Sequence, residues 1–582
     1  MAVEAKPVPT SKSGFKVSRN YLVWFYGIIL FLTSLLITGY RIYYGNQAIT
    51  IPLILSVNDP TLFPNDPFVS TLVNYAAPIW RLLAIPAKSI SIEIIFLFFF
   101  LFARALMIFA SGYLANTISP RNILAVVGVM AFFATWPISV IGHGTILSTY
   151  FEQTSLSLGF FLLAAAAFYS KRKYLWAVWM AIGFSLNSMY GTYASTYFAA
   201  VFLLDPEYRK SWRLWLVPFA LLGLLILPVV LLTLSAFRID TVARELWLLA
   251  SKARFTMHLY PHTWHPAEIY IFFGYVIFTS VVFYLLRKEN KKLFIHGLIW
   301  LLVLLGWVAY TYLAAYWAES PSMLVMHPAR ATDIWFILVS TSVITLCAQK
   351  ISNVKANKPA YIVLFFICIT WQKAIDDFLI IVSFWVIIAI LAYWHPTWKH
   401  ILKSGSEARL SAVVVLVAVL FGIFVFSQEP HSFKFANLVR YPDEEIIEIS
   451  KWAKENTEKG DLFLVDPNWS DFRSLAMRPV YVTYKDGAAI LWERSYVEQW
   501  VPRMESVGYD FYNPEAVGIS THPYMKFVLS YFYDELDDQK VRELARLYPL
   551  RYWVTATDHV SDFPIAYRTS EFKVLDIQSL ID

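Results

Sequence analysis

The chain has 582 residues, 58% hydrophobic and only 15% charged, and the charge is unevenly placed: residues 1–427 carry 31 Lys/Arg against 16 Asp/Glu, whereas residues 428–582 carry 17 against 26. An apolar, net-positive first part joined to an acidic second part excludes a single soluble globule and a disordered chain. It also excludes a basic nucleic-acid binder, because the positive charge sits among apolar runs.

A bilayer requires about 20 apolar residues per helix. In chain order, spans are expected at 21–40, 89–112, 123–141, 156–170, 174–189, 191–204, 214–234, 267–287, 293–316, 331–349, 359–372, 378–394 and 410–427, thirteen in all. The first is long enough to cross and no small-residue cleavage site follows it, so it reads as a helix and not as a removed signal. The pair 174–204 is split at Asn187-Ser188-Met189-Tyr190-Gly191 and could instead be one long helix with a re-entrant piece. Cys347 and Cys368 both fall in apolar stretches and read as buried, inert thiols, suited neither to a disulfide framework nor to a thiolate metal site.

Cytoplasmic loops accumulate Lys and Arg. With the N-terminus inside, the inner segments collect Lys6, Lys12, Lys16 and Arg19, then Lys171–Lys173, Arg209, Lys210, Arg213, Arg287, Lys288, Lys291 and Lys292, while most acids fall on the other side. An odd number of spans places the acidic tail, 428–582, outside the cytoplasm. That tail reads as a small α/β domain. Asp443 caps a helix running to about Asn456, and strands are expected at Leu462–Val465, Val480–Thr483, Tyr552–Thr555 and Lys573–Ile577.

The first outer loop, 41–88, contains Asn58-Asp59-Pro60 and, seven residues later, Asn65-Asp66-Pro67. Proline after each Asp biases it toward an extended or turn conformation, so both carboxylates are expected in a stiff loop. Ordinary turn chemistry explains one such copy; two copies raise the case for a site. The stretch Phe68 to Lys88 is amphipathic and suggests one interfacial helix along the outer leaflet. The second outer loop supplies His143 and Glu152, a polar cluster between apolar spans that is costly near a membrane without a role or partner. Arg104, inside a span, is expected to pair with an acid or to snorkel, and Asp376 and Asp377 read as helix-end polarity.

Two later outer segments are cationic. Segment 235–266 contains Arg254, His258, His262 and His265, and segment 317–330 ends in His327-Pro328-Ala329-Arg330. The histidine spacing could surround a divalent metal, but two prolines interrupt it and no zincin-type Glu accompanies it, so no metal or other cofactor is assigned. Cations at span mouths commonly anchor lipid headgroups. Arg330 is the better phosphate ligand, because a guanidinium grips phosphate through two parallel hydrogen bonds.

Carboxylates and cations emerging on one side from four loops suit one chemistry. A sugar leaving a lipid phosphate needs positive partners on that phosphate. The acceptor hydroxyl needs a carboxylate base within reach. The layout, together with Asp59-Pro60-Thr61-Leu62-Phe63-Pro64-Asn65-Asp66-Pro67-Phe68 and the tail motif Trp452-Ala453-Lys454-Glu455-Asn456-Thr457, resembles the GT-C superfamily of membrane glycosyltransferases, in particular its bacterial multi-pass members. The resemblance implies an integral protein of the bacterial plasma membrane that uses a polyprenyl-phosphate-linked sugar and transfers it with inversion at the outer face. It implies Asp59 or Asp66 as the base. Arg330, His327, His262 and His258 would hold the donor phosphate, and Glu152 and His143 would support them. The Trp-Trp-Asp-Tyr-Gly signature of oligosaccharyltransferases is absent; the tail has only Asp466-Pro467-Asn468-Trp469. The partners expected are membrane lipids, the donor and an acceptor of unidentified class, with no nucleic acid. Competing readings are a transporter or lipid flippase, a non-catalytic scaffold recruiting partners through its acidic tail, and, more weakly, glycoside hydrolysis by the two Asp.

Overall fold

The structure, a computed structural model, describes residues 18–135, 141, 146–236, 242–264, 266–353, 358–370, 407–428, 439–511 and 533–578. Six helices among these are long and apolar enough to cross a membrane, and a seventh span arises if one bent pair is counted as one. The chain is an integral membrane protein with exposed apolar flanks. The helix Leu216–Ala236 presents Leu224, Leu227, Leu231 and Leu234 outward. At 1.5 Å per residue, several expected spans are too short to cross alone: Gln153–Tyr169 has 17 residues, Lys173–Leu186 has 14 and Ser188–Leu204 has 17. The span expected at 378–394, and Asp376 and Asp377 before it, lie outside the described residues.

The split pair is two helices. Asn187 has φ −149° and ψ 99°, which ends the first helix, and its side-chain oxygen accepts from the Tyr190 N–H at 3.2 Å to cap the second. Within the bundle the helix Ala331–Asn353 is almost wholly buried. Among the described residues no acid forms an ion pair with Arg104. Its guanidinium donates to the Ser34 carbonyl at 3.0 Å, the Thr38 hydroxyl at 2.7 Å and the Ser148 carbonyl at 2.5 Å, tying the end of the first helix to the loop before Gln153–Tyr169. Cys347 and Cys368 are free and buried.

The expected interfacial helix is broken. Pro67–Asn74 and Pro78–Lys88 are bent by 110°, because Pro78 and Pro86 begin new short helices and cannot continue old ones. Before them, the helix Gln47–Asn58 is mostly buried.

Strand β1 (Tyr40–Arg41) pairs in parallel with β2 (Val439–Arg440), joining the exit of the first helix to the start of the acidic region. Asp443 caps the helix Glu444–Asn456 as expected, accepting from the Glu445 N–H at 2.9 Å. Strands β3 (Leu462–Leu464), β4 (Leu550–Ala556), β5 (Ile565–Arg568) and β6 (Phe572–Asp576) form a sheet in the order β3-β4-β6-β5, with β3 parallel to β4 and the other pairs antiparallel. The stretch expected as a strand at Val480–Thr483 makes one bridge, Val480 to Phe463. Alternation along the strands serves two cores. Phe463, Tyr552, Val554 and Val574 pack with Ile449 and Ala453 of the capped helix. Leu464, Trp553 and Leu575 turn the other way, into a core shared with Trp80 of the first loop and with Trp247 from the helix Arg244–Arg254. The Trp247 indole N–H donates to the Ile490 carbonyl at 3.1 Å, and the Trp492 indole N–H to the Thr71 hydroxyl at 3.1 Å. The acidic region is therefore seated on the loops of the bundle through a continuous apolar interface.

Candidate active site

Where that interface meets the bundle lies a cavity of about 1260 Å³. Its walls are helix ends and loops: Tyr44 to Asn46, Tyr150 to Thr154, the break at Asn187, the segment Arg254 to His258, Val325 to Arg330, and Asn468, Asp471 and Lys485 of the acidic region. Val230, Thr233 and Leu234 complete it on the outward-facing helix Leu216–Ala236, so the cavity reaches the lipid side of the bundle.

Three carboxylates line this space; Glu268 and Asp471 are half-buried, and the buried one is Glu152. It stands immediately before the helix Gln153–Tyr169, and its Oε2 accepts from Asn46 Nδ2 at 3.2 Å and from the Tyr150 hydroxyl at 3.4 Å. Burial raises its pKa above the ordinary Glu value, opposed by the charges of Arg330 and Lys485 and by the Asn46 hydrogen bond. Lys485 is held in place by donating to Asn46 Oδ1 at 2.8 Å. Gly45, with φ +61°, makes the turn that delivers Asn46; a Cβ there would lie 2.7 Å from the Tyr150 ring.

The cationic side is built around the turn at His327. This residue has φ 43° and ψ 55°, a left-handed conformation that is costly for a non-glycine residue. The turn is held by Tyr193, whose hydroxyl donates to the His327 carbonyl at 2.9 Å. His327 is buried, its ring 5.4 Å from that of Phe255 and 5.8 Å from that of His258, and neither ring nitrogen has a hydrogen-bond partner. The Nε atoms of Arg330 and Arg254 are likewise buried and unpartnered. Arg330 Nη2 lies 3.3 Å from the His258 ring nitrogen. The Arg254 guanidinium sits 5.1 Å from the Phe255 centroid and 4.9 Å from that of Tyr484. Buried donors normally find acceptors. Arg330, Arg254 and His327 all line this one cavity, and each has a buried nitrogen without a hydrogen-bond partner, a chemistry that suits an oxygen-rich anion.

The cavity thus brings together Glu152, His258, His327 and Arg330, and excludes three residues expected with them. Asp59 is partly exposed and engaged elsewhere: it accepts from Lys459 Nζ at 2.6 Å and from the Thr61 N–H and hydroxyl at 3.0 and 2.6 Å. The lysine and threonine hold its pKa down at about 2. Asp66 is buried with every acceptor position occupied. Its Oδ1 caps the helix Pro67–Thr71 by accepting from the Phe68 and Val69 N–H groups, both at 3.0 Å. Its Oδ2 accepts from Arg473 Nε at 2.7 Å and the Val480 N–H at 3.0 Å, while Arg473 also grips Asp486 with two bonds of 2.8 and 2.9 Å. Both carboxylates fasten the acidic region to the first loop. His262 is exposed and pairs through Nδ1 with the Tyr316 hydroxyl at 2.7 Å. His143 and His265 lie outside the described residues. Among the described residues no three His, Cys, Asp or Glu side chains gather in a way that could hold a metal ion. Sequence reasoning placed Arg254 in the outer cationic group without assigning it to the site, and did not single out Lys485 or Asn46. The Gly45-Asn46 dipeptide is the one local signal that could have marked a turn there.

Residues 444–507 match a family described as a domain of unknown function, DUF6798. No curated protein matches the chain. Among solved structures, the oligosaccharyltransferase of Archaeoglobus fulgidus, crystallised with a tethered acceptor peptide containing the NVT sequon, is similar at 10% identity and a TM-score of 0.42, over 93% of this chain and 69% of that one.

Proposed function

We propose that the chain is a membrane glycosyltransferase that moves a sugar from a polyprenyl-phosphate-linked donor to an acceptor hydroxyl, with inversion, at the outer face of a bacterial plasma membrane. The observation that carries this reading is the set of buried, unpartnered donors on Arg330, Arg254 and His327, set in one lipid-reaching cavity with the buried carboxylate of Glu152. The phosphate would bind to the two guanidiniums and the neutral His327 ring, with His258 positioning Arg330. Glu152, in place of Asp59 or Asp66, would take the proton of the acceptor hydroxyl as its oxygen attacks the anomeric carbon. The bond from that carbon to the phosphate oxygen breaks, and its electron pair stays on the phosphate, where the cations stabilise it. The raised pKa of Glu152 suits this role, since a general base works best when its pKa approaches the ambient pH. Side access along Leu216–Ala236 suits a donor whose polyprenyl tail remains in the bilayer. The basic loops, at the far end of the bundle from the acidic region, support an extracytoplasmic site.

A transporter would carry its ionisable groups near the bilayer midplane, whereas this cavity is lined by helix ends and loops. The test is transfer of labelled sugar from polyprenyl phosphate by the purified full-length protein. Wild-type transfer with loss in Glu152→Gln and Arg330→Ala is the expected result; equal transfer by all three proteins overturns the assignment.

A further inference from the structure

A second groove, of about 750 Å³, lies between the first loop and the acidic region. One wall comes from the short helices of the loop and includes Val57, Ser70, Val73 and Arg81; the other includes Gln499 and Arg503. Both arginines are locked in place yet keep N–H donors to spare, since a guanidinium has five. Arg81 donates to the Tyr75, Leu72 and Val73 carbonyls at 3.1, 3.3 and 2.7 Å, capping the bend between Pro67–Asn74 and Pro78–Lys88. Arg503 donates to the Tyr481 carbonyl at 2.9 Å and lies 5.0 and 4.7 Å from the Tyr481 and Tyr548 centroids. The one carboxylate in the lining is Asp66, which shares Arg473 with Asp486, so that buried group carries one net negative charge against the two positive charges of Arg81 and Arg503. The groove therefore keeps a net positive charge.

Its rim is apolar. Val73 is 72% exposed, and on the following helix Leu82 and Ile85 are 62% and 66% exposed. Apolar side chains so exposed, beside a cationic groove in an integral membrane protein, fit the headgroup boundary of a leaflet. A ligand matching both halves has a net-negative head and apolar tails. We infer that this groove binds an anionic phospholipid of the surrounding membrane, its phosphate between Arg81 and Arg503 and its acyl chains along Val57 and Val73. Because the two walls belong to different parts of the chain, the bound lipid joins the acidic region to the loop. This inference does not depend on the reaction assigned to the first cavity.

The experiment uses the full-length protein in nanodiscs of phosphatidylcholine alone or mixed with phosphatidylglycerol, read by native mass spectrometry and thermal melting. The expected result is retention of phosphatidylglycerol in preference to phosphatidylcholine, with a rise in melting temperature of roughly 2–4 °C. Gln499→Glu and Ser70→Asp place a negative charge at exposed positions of the groove without touching either arginine's supports; both should lose the retained lipid and the thermal shift. Equal retention of the two lipids, or retention unchanged in both variants, overturns the inference. So does the same stabilisation in detergent by glycerol phosphate alone, which would make the ligand a soluble anion.

Discussion

Glu152 and Asp66 are both buried carboxylates, and their surroundings give them opposite roles. Asp66 has four donors on its two oxygens. Glu152 has two, both long, and faces a cavity. In the folded state Glu152 has its pKa raised by burial, so its ionisation opposes folding, and the stability linked to it falls as pH rises through that pKa. Glu152→Gln removes this penalty. Transfer should fall by about 10²–10⁴-fold while the melting temperature at neutral pH stays level or rises; a parallel loss of both would mark Glu152 as merely structural. In the wild type the acid limb of the transfer profile should lie above the ordinary glutamate range, because the base works only when deprotonated. Asp66→Asn predicts the reverse pattern. It leaves the buried Arg473 still paired with Asp486 but without the charged acceptor of its Nε–H, a loss of about 1.5–3 kcal/mol for a hydrogen bond to a charged group, measurable as a drop in melting temperature. Asp59→Asn, at a partly exposed pair with Lys459, should leave transfer and melting near wild type.

At the scale of elements, the cavity is made where elements stop. Asn187 ends one helix and caps the next, Gly45 turns the first loop, and His327 holds a left-handed turn before Pro328. The strain at His327 separates two effects of one residue. His327→Ala and His327→Gly both delete the ring, and both should weaken donor binding. Glycine accepts φ 43° freely, so the glycine variant should be more stable than the alanine variant by about 1 kcal/mol, read as a difference in denaturation midpoint. Equal stability would mean that the turn is relaxed. The same elements show what local sequence encodes. The Asp443 cap, strand β3 and the break at Asn187 were legible because each is set within a few residues. The bend in the first loop could have been read from Pro78 and Pro86, but the amphipathic pattern across them suggested one continuous helix. The function of Asp66 was not legible: its Asn-Asp-Pro motif matches that of Asp59 seven residues earlier, and what distinguishes them is Arg473, brought from over 400 positions away by a core that no short window contains.

At the scale of the molecule, the split in charge is the basis of the proposed orientation, and orientation decides which substrates could meet in the cavity. The acidic region forms one wall of the cavity, so the side of the membrane that holds this region also holds the cavity. The basic loops gather at the other end, where Lys171 and Lys292 flank Glu207 at 3.4 and 2.9 Å. Anionic headgroups and the positive-inside bias act on such loops, not on the acidic region. The two native cysteines are buried, leaving little background for thiol labelling. Val560→Cys sits on the acidic region at a position 92% exposed, and Lys210→Cys sits at an exposed position in a basic loop. A membrane-impermeant maleimide added to intact cells should label Val560→Cys and reach Lys210→Cys only after permeabilisation. Labelling of both in intact cells would place the two regions on one face, removing the odd number of spans. The inverted pattern would turn the cavity toward the cytoplasm and require a donor presented from that side.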